Sequence, residues 1–382
     1  MPLKIVADRA ISHAKVAFSS LGEVVLLRAE EICAEIVRDA DLLLVRSTVQ
    51  VNSALLGESR VRFVATATAG VEHLETTWLA SHNIAWAAAP GANAGSVLQW
   101  WTAALLTWAE RREIDVAGWT VGVVGVGAIG HRVAEVAAAL GCRVLLCDPP
   151  RARREGSYGF VELKTLLAES DLVTLHVPLE RMGPDATHHL LGEKEIAQLR
   201  RGAIVINASR GAVVDTYAFA AARRASQVSG LLLDVFENEP DIAPEVVEAC
   251  DLATPHIAGY SENGKVAGTL AIYRAACAHL QQIPQWVPER SPSSALSIDT
   301  RASDDLGTIL LVLRRYYNIE EDDRALRELV RTIDRAARFQ RYRAHYPVRR
   351  ELDGLRLELI PPRPRAERVL QQLGARTRPL SG

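Results

Sequence analysis

Three short polar segments hold an arginine, a glutamate and a histidine in a pattern that suits hydride chemistry on a hydroxy acid. They are NASRGAVVD (Asn207–Asp215), DVFENEP (Asp234–Pro240) and TPHIAGY (Thr254–Tyr260), and each follows or ends an apolar run that reads as a strand. Strand ends are where doubly wound sheets gather their reactive groups. An arginine fork can hold a carboxylate bidentately and polarise the oxygen on the next carbon. A histidine within reach of that hydroxyl can take its proton as hydride leaves. A neighbouring carboxylate would orient the ring and favour its charged form. The residues assigned to these roles are Arg210, His256 and Glu239.

A hydride needs an acceptor, and the glycine turn Gly125-Val126-Gly127-Ala128-Ile129-Gly130 offers a place for one. It follows the apolar run WTVGVV and opens a helical pattern. The free N–H groups and positive dipole end of such a helix suit a pyrophosphate. Asp148 ends the next strand 18 residues after Gly130 and is placed to accept hydrogen bonds from an adenosine ribose. A 2′-phosphate there would meet like charge, so NAD is expected rather than NADP. Arg151, Arg153 and Arg154 lie just beyond and count the other way.

The elements that must position these groups alternate regularly. Strand-like runs at residues 3–7, 41–47, 62–70 and 84–90 precede one long apolar helix from Asn93 to about Arg112. Further runs at residues 119–124, 143–148, 172–178, 203–209, 230–236 and 252–257 are separated mostly by helical patterns. This predicts a doubly wound α/β fold with parallel sheets. A proline- and serine-rich stretch, residues 283–297, reads as a linker. Beyond it, residues 304–346 look helical and highly charged, and residues 356–364 suggest a last short strand. This tail reads as an accessory or oligomerisation module.

The 382 residues carry 44 Lys+Arg against 46 Asp+Glu, so no global basic field recruits nucleic acid. From residue 286 onward 19 arginines face 14 acidic residues, which concentrates positive charge in the tail. No apolar run approaches the ~18–20 residues of a membrane span. The N-terminal MPLKIVADRA is not a secretion signal. The five cysteines are scattered with no paired short spacing, which argues against a zinc ribbon or a disulfide framework and suits a reducing cytoplasm. The pair His188-His189 reads as structural or exposed: neighbours on a helix face apart, and no carboxylate cluster completes a metal site. No metal is expected.

The motifs GVVGVGAIG, NASRGAVVD, DVFENEP and TPHIAG resemble those of the D-2-hydroxyacid dehydrogenases. That resemblance implies catalytic roles for Arg210, Glu239 and His256. LLLVRSTVQVN (Leu42–Asn52), FVATATAG (Phe63–Gly70), LLCDPPRARR (Leu145–Arg154), TPHIAGYSENGK (Thr254–Lys265) and the charged tail resemble one branch of that family. Its substrate is a phosphorylated four-carbon 2-hydroxy acid on the route to pyridoxal 5′-phosphate. The resemblance implies two Rossmann-like domains, substrate-binding at residues 1–96 (completed by about 258–284) and NAD-binding at residues 97–257. A smaller α+β domain at residues 285–382 would form a homodimer. Ser47, Thr68 and Tyr260 would contact substrate; Asp234, Gly259, Ser209 and position 177, here Val177, would contact NAD. The chain departs from that pattern at Ser209 (usually Cys), at Gln99-Trp100 and at Val177, where a hydroxyl side chain is lost. For the substrate phosphate the candidates are Arg46 and the pair Arg349-Arg350, the latter reaching a partner's site. Two alternatives stay open: a 3-phosphoglycerate or glyoxylate/hydroxypyruvate dehydrogenase on the same scaffold, or an NAD(H)-sensing protein without turnover. Extended phosphoglycerate enzymes usually add a ferredoxin-like domain, which this helix- and arginine-rich tail does not resemble.

Overall fold

The computed structural model describes residues 2–289 and 294–377. Two compact units divide the chain: one runs to Ala94 and resumes at Ser261, and the other spans Gly95–Tyr260 with the C-terminal residues.

The first unit is a five-stranded parallel sheet of β1 (Leu3–Asp8), β2 (Gly22–Leu27), β3 (Leu42–Val45), β4 (Phe63–Thr66) and β5 (Ala85–Ala87), in the order β2-β1-β3-β4-β5. The four residues of β3, Leu-Leu-Leu-Val, are all buried, as a parallel strand covered on both faces requires. Sequence reading passes over β2. It is an edge strand of half-buried and exposed residues, so it lacks the apolar run that marks its neighbours. The helix Glu262–His279 packs on this sheet, its first turn capped by Ser261 Oγ accepting from the Gly264 N–H at 2.9 Å.

The second unit contains a six-stranded parallel sheet built from β6 (Thr120–Val124), β7 (Arg143–Cys147), β8 (Leu172–Leu175), β9 (Ala203–Asn207), β10 (Val228–Leu233) and β11 (Leu252–Ala253). Their order is β11-β10-β9-β8-β6-β7. The helix Ala94–Glu110 is apolar all round and correspondingly buried, with Trp100 and Trp101 wholly enclosed. A buried indole needs an acceptor for its N–H. Trp100 Nε1 donates to Thr254 Oγ1 at 2.9 Å, and Trp101 Nε1 to Thr174 Oγ1 at 3.1 Å.

The same unit carries a second, three-stranded parallel sheet of β12 (Ala295–Asp299), β13 (Arg356–Ile360) and β14 (Arg376–Thr377), with β13 central. The expected linker at residues 283–297 lies partly outside the described residues, and its last three residues belong to β12. The helix Ile319–Val330 packs against β11 and the helix Pro244–Ala249, with Arg335–Ala344 beside it, whereas Asp305–Arg314 and Pro364–Gln372 accompany the three-stranded sheet. Its core is continuous with that of the nucleotide fold: Ile309, Leu313, Val369 and Leu370 belong to one buried cluster with Leu105, Val133, Val136 and Leu140. Arginines tie the two layers through main-chain carbonyls. Arg365 donates to Leu140 O at 2.7 Å, and Arg327 donates to Cys250 O at 2.9 Å. Asp323 accepts from the Ala253 N–H at 2.8 Å, covering the edge of the sheet at β11. Among the described residues no helix is long and apolar enough to cross a membrane.

Candidate active site

The glycine turn closes tightly because its last member has no side chain. A Cβ on Gly130 would lie 1.9 Å from the Gly125 carbonyl oxygen, so the helix Gly130–Ala139 could not start where it does. A Cβ on Gly127 would meet nothing within 4 Å, which leaves its backbone open to a ligand. Beside the turn is a cavity of about 590 Å³, lined among others by Gly125, Gly127, Asp148, Pro149, His176 and Val177. Asp148 Oδ2 accepts from the Val126 N–H at 2.8 Å, and Oδ1 accepts from the Arg151 N–H at 3.0 Å. One carboxylate thus fixes the glycine turn and caps the next helix while facing the cavity. The three nearby arginines all have carboxylate partners: Arg151 and Arg154 pair with Glu155, and Arg153 with Asp185. Two carboxylates thus engage all three guanidinium groups, while Asp148 both fixes the turn and lines the cavity, and the residues present fit NAD. Asp148→Ala is expected to weaken NAD binding by ~10–100-fold, the ~1.5–3 kcal/mol of bonds to a charged group. Calorimetric titration with NAD checks this; unchanged affinity would remove Asp148 from the site.

Of the other cofactor candidates, Ala128 and Ile129 form the turn into the helix Gly130–Ala139, and Val177 sits in the cavity wall. The cavity lining does not include Ser209, Asp234 or Gly259. Ser209 is instead bound to its own loop: its N–H and Oγ both donate to Asn207 Oδ1, at 3.0 and 2.7 Å. Asn207 Nδ2 in turn donates to Arg210 O at 2.9 Å, so this buried side chain shapes the loop that presents Arg210. The signal of Asn207 in the sequence is an amide at a buried strand end, where three loop groups need partners.

Arg210, Glu239 and His256 come from the loops after three neighbouring strands, β9, β10 and β11. The first two loops touch backbone to backbone, since a Cβ on Gly211 would fall 2.0 Å from the Phe236 carbonyl. Arg210 is held in part by Nη1 donating to Ser209 O at 2.8 Å. Glu239 Oε2 lies 2.6 Å from His256 Nδ1, and Glu239 Oε1 accepts from the Phe236 N–H at 2.8 Å. Burial raises the Glu239 carboxyl, but the His256 ring, the Phe236 N–H and the Arg343 guanidinium outweigh it and hold it below the usual carboxylate range. An ionised Glu239 has no proton to give, so Nδ1 carries the hydrogen between them. Nε2 is left as the ring atom that can exchange a proton with a substrate.

The His256 loop is fixed from two sides. Its residue has φ +54°, the left-handed region that histidine enters more readily than most side chains. Buried Asp234 collects the donors: Thr254 Oγ1 at 2.6 Å, the Ile257 N–H at 2.8 Å and the Ala258 N–H at 2.9 Å. Burial pushes the Asp234 carboxyl up to about 6, against the pull of His256 and those donors. The C-terminal layer holds the carbonyls. Arg343 Nε donates to His256 O at 3.2 Å, and Arg349 Nη2 donates to Ala258 O at 2.7 Å and Ser96 O at 2.8 Å.

That last contact corrects the expectation for Arg349, while Arg350 beside it is exposed. Arg349 is 4% exposed, lies over the Tyr317 ring at 4.2 Å and has its guanidinium occupied by main-chain oxygens, so it does not reach for a substrate phosphate. A buried guanidinium needs acceptors, and these carbonyls supply them for its Nη2 end. The histidine pair also differs from expectation. His188 and His189 lie in a turn rather than a helix, their rings stack at 4.2 Å, and Glu237 Oε1 is 2.7 Å from His189 Nε2. The turn, with His189 at φ +49°, lets adjacent rings share a face. Three potential ligand atoms therefore fall within 4.8 Å, although Glu237 Oε2 already accepts from Thr216.

The remaining substrate candidates divide between the units. Arg46 and Ser47 follow β3, and Thr68 follows β4, where its Oγ1 donates to Gly70 O at 2.9 Å. Tyr260 ends the first segment of the other unit, with the Arg343 guanidinium 5.3 Å from its ring centroid.

Residues 98–258 match the model for the NAD binding domain of D-isomer specific 2-hydroxyacid dehydrogenases, and residues 289–374 match a domain of unknown function. Among curated relatives, an erythronate-4-phosphate dehydrogenase of Azotobacter vinelandii is 42% identical over 98% of this chain and 99% of its own length. One from Ectopseudomonas mendocina is 43% identical over 98% and 100%. Among solved structures, the D-lactate dehydrogenase of Aquifex aeolicus, in complex with NAD and lactic acid, superposes with a TM-score of 0.60. It is 25% identical over 73% of this chain and 95% of its own.

Proposed function

This chain belongs to the erythronate-4-phosphate dehydrogenase family, and from that membership we propose that it oxidises 4-phospho-D-erythronate to (R)-3-hydroxy-2-oxo-4-phosphooxybutanoate. NAD is the oxidant. The product would feed pyridoxal 5′-phosphate synthesis. The observation that carries the chemistry is the 2.6 Å pairing of His256 with Glu239 on strand ends adjoining that of Arg210.

The glycine turn and Asp148 would hold NAD, which would supply the acceptor for the C2 hydride. Arg210 clamps the C1 carboxylate and draws charge from the C2 oxygen. His256 Nε2 takes the hydroxyl proton, and Glu239 stabilises the imidazolium that results. Arg46 and Ser47 are our candidates for the phosphate end, now that Arg349 is otherwise engaged, with Thr68 and Tyr260 as further substrate contacts. We read the chain as a cytoplasmic homodimer assembled through its C-terminal domain. Its free cysteines, four of them buried, fit a reducing compartment.

Purified protein supplied with 4-phospho-D-erythronate, D-3-phosphoglycerate or glycerate, and with NAD or NADP, tests the reading directly. Preference for phosphoerythronate with NAD is expected. Preference for phosphoglycerate would keep the mechanism and move the substrate, and no turnover despite bound nucleotide would favour a sensor. Replacing Glu239 by Gln removes the charge that favours the imidazolium. The acid limb of the oxidation profile should then move to lower pH, because the neutral base persists further down. An unmoved limb would deny the pairing its role.

A further inference from the structure

The helix Arg335–Ala344 carries arginines at positions 335, 338, 341 and 343, and their environments differ. Arg335 pairs with Asp241 and Arg338 with Asp334 in exposed ion pairs. Arg343 turns inward instead. Its Nε donates to His256 O at 3.2 Å, and its guanidinium lies 5.3 Å from the Tyr260 ring centroid and 5.6 Å from that of Phe339. Among the described residues no carboxylate makes an ion pair with it. We propose that Arg343 is a positioning residue for the His256–Glu239 pair, so that the C-terminal segment helps to build the hydride-transfer site of its own chain. This rests on the reading of His256 as the base.

The contact acts in two ways. It fixes the carbonyl of the one residue whose ring must meet the substrate, in a loop whose N–H groups Asp234 already holds. It also sets a cation beside the pair. The charged groups near the pair include Asp234 beneath the loop, Arg210 from the loop after β9, and Arg343, a cation that also helps to hold the Glu239 carboxyl low. Arg349 and Asp322 lie behind them, Arg349 on the Ala258 carbonyl and Asp322 accepting from the Tyr342 and Tyr346 hydroxyls at 2.6 and 2.8 Å. The neutral base is the form that oxidation needs.

Arg343→Gln keeps a donor and removes the charge, whereas Arg343→Lys keeps the charge and loses the planar fork. In Arg343→Gln the acid limb of kcat should move up by roughly half to one pH unit, opposite to Glu239→Gln, with the KM for NAD unchanged. Arg343→Lys should hold the limb near wild type while kcat falls several-fold. An NMR titration of the His256 ring in the protein without substrate should show the same upward movement, and it needs no turnover. A limb and a ring titration that both stay put in Arg343→Gln would overturn the proposal, whatever happens to kcat. A moved ring titration in a protein that turns over none of the hydroxy acids would leave the positioning role standing and sink the dehydrogenase reading.

Discussion

Replacing His256 by Asn should lower kcat by ~10²–10⁴ with the KM for NAD little changed, the scale expected when a positioned acid–base group is lost. Asparagine is the better test than alanine. The residue sits at φ +54°, where asparagine is tolerated and alanine adds backbone strain. The chemical loss is then read without a fold defect on top of it. Because Nδ1 is engaged with Glu239, the deficit should be greatest where wild-type His256 is neutral and shrink towards acid pH. Stopped-flow measurement of NADH formation checks this, and a variant within a few-fold of wild type would end the assignment of His256 as base.

The second large effect is expected at Arg210. Arg210→Met removes both the fork for the carboxylate and the charge beside the C2 oxygen. Each bond to a charged group contributes ~1.5–3 kcal/mol, so losing a bidentate clamp should reduce kcat/KM by ~10²–10⁴. Arg210→Lys should recover only part of this, since a single ammonium cannot reproduce two parallel bonds. The loop itself should survive, because Asn207 holds it through Arg210 O rather than through the guanidinium. Steady-state kinetics with both variants, beside NAD affinity as a control, separates the clamp from the scaffold. Full activity in Arg210→Met would require another carboxylate-binding group.

Much of the site's make-up can be read in the residues, because its chemistry depends on side-chain identity at strand ends. The glycine turn, Asp148, and the segments bearing Arg210, Glu239 and His256 all announce themselves through residue type and spacing. The contacts that hold them do not. Arg349 meets carbonyls of Ser96 and Ala258, and a carbonyl leaves no mark in the sequence, so this arginine reads as a surface charge until its environment is seen. The same holds for Arg343 on His256 O. Strand β2 escapes notice because its half-exposed residues look like loop, and β14 because two residues carry no period. His188 and His189 mislead for another reason: the helical geometry assumed for them is absent, and Glu237 arrives from 48 residues away.

The shared core of the nucleotide fold and the C-terminal layer has a consequence for how the protein is made. Val369 and Leu370, close to the end of the described chain, pack with Val133 and Leu140. A ribosome must therefore translate well past residue 360 before the face of the helix Gly130–Ala139 that points away from β6 and β7 can be covered. Until then the nascent nucleotide fold presents an apolar face to whatever chaperone is nearby. A premature stop after His256 and before that point would release a chain that contains every proposed catalytic side chain, yet has no finished core to hold them.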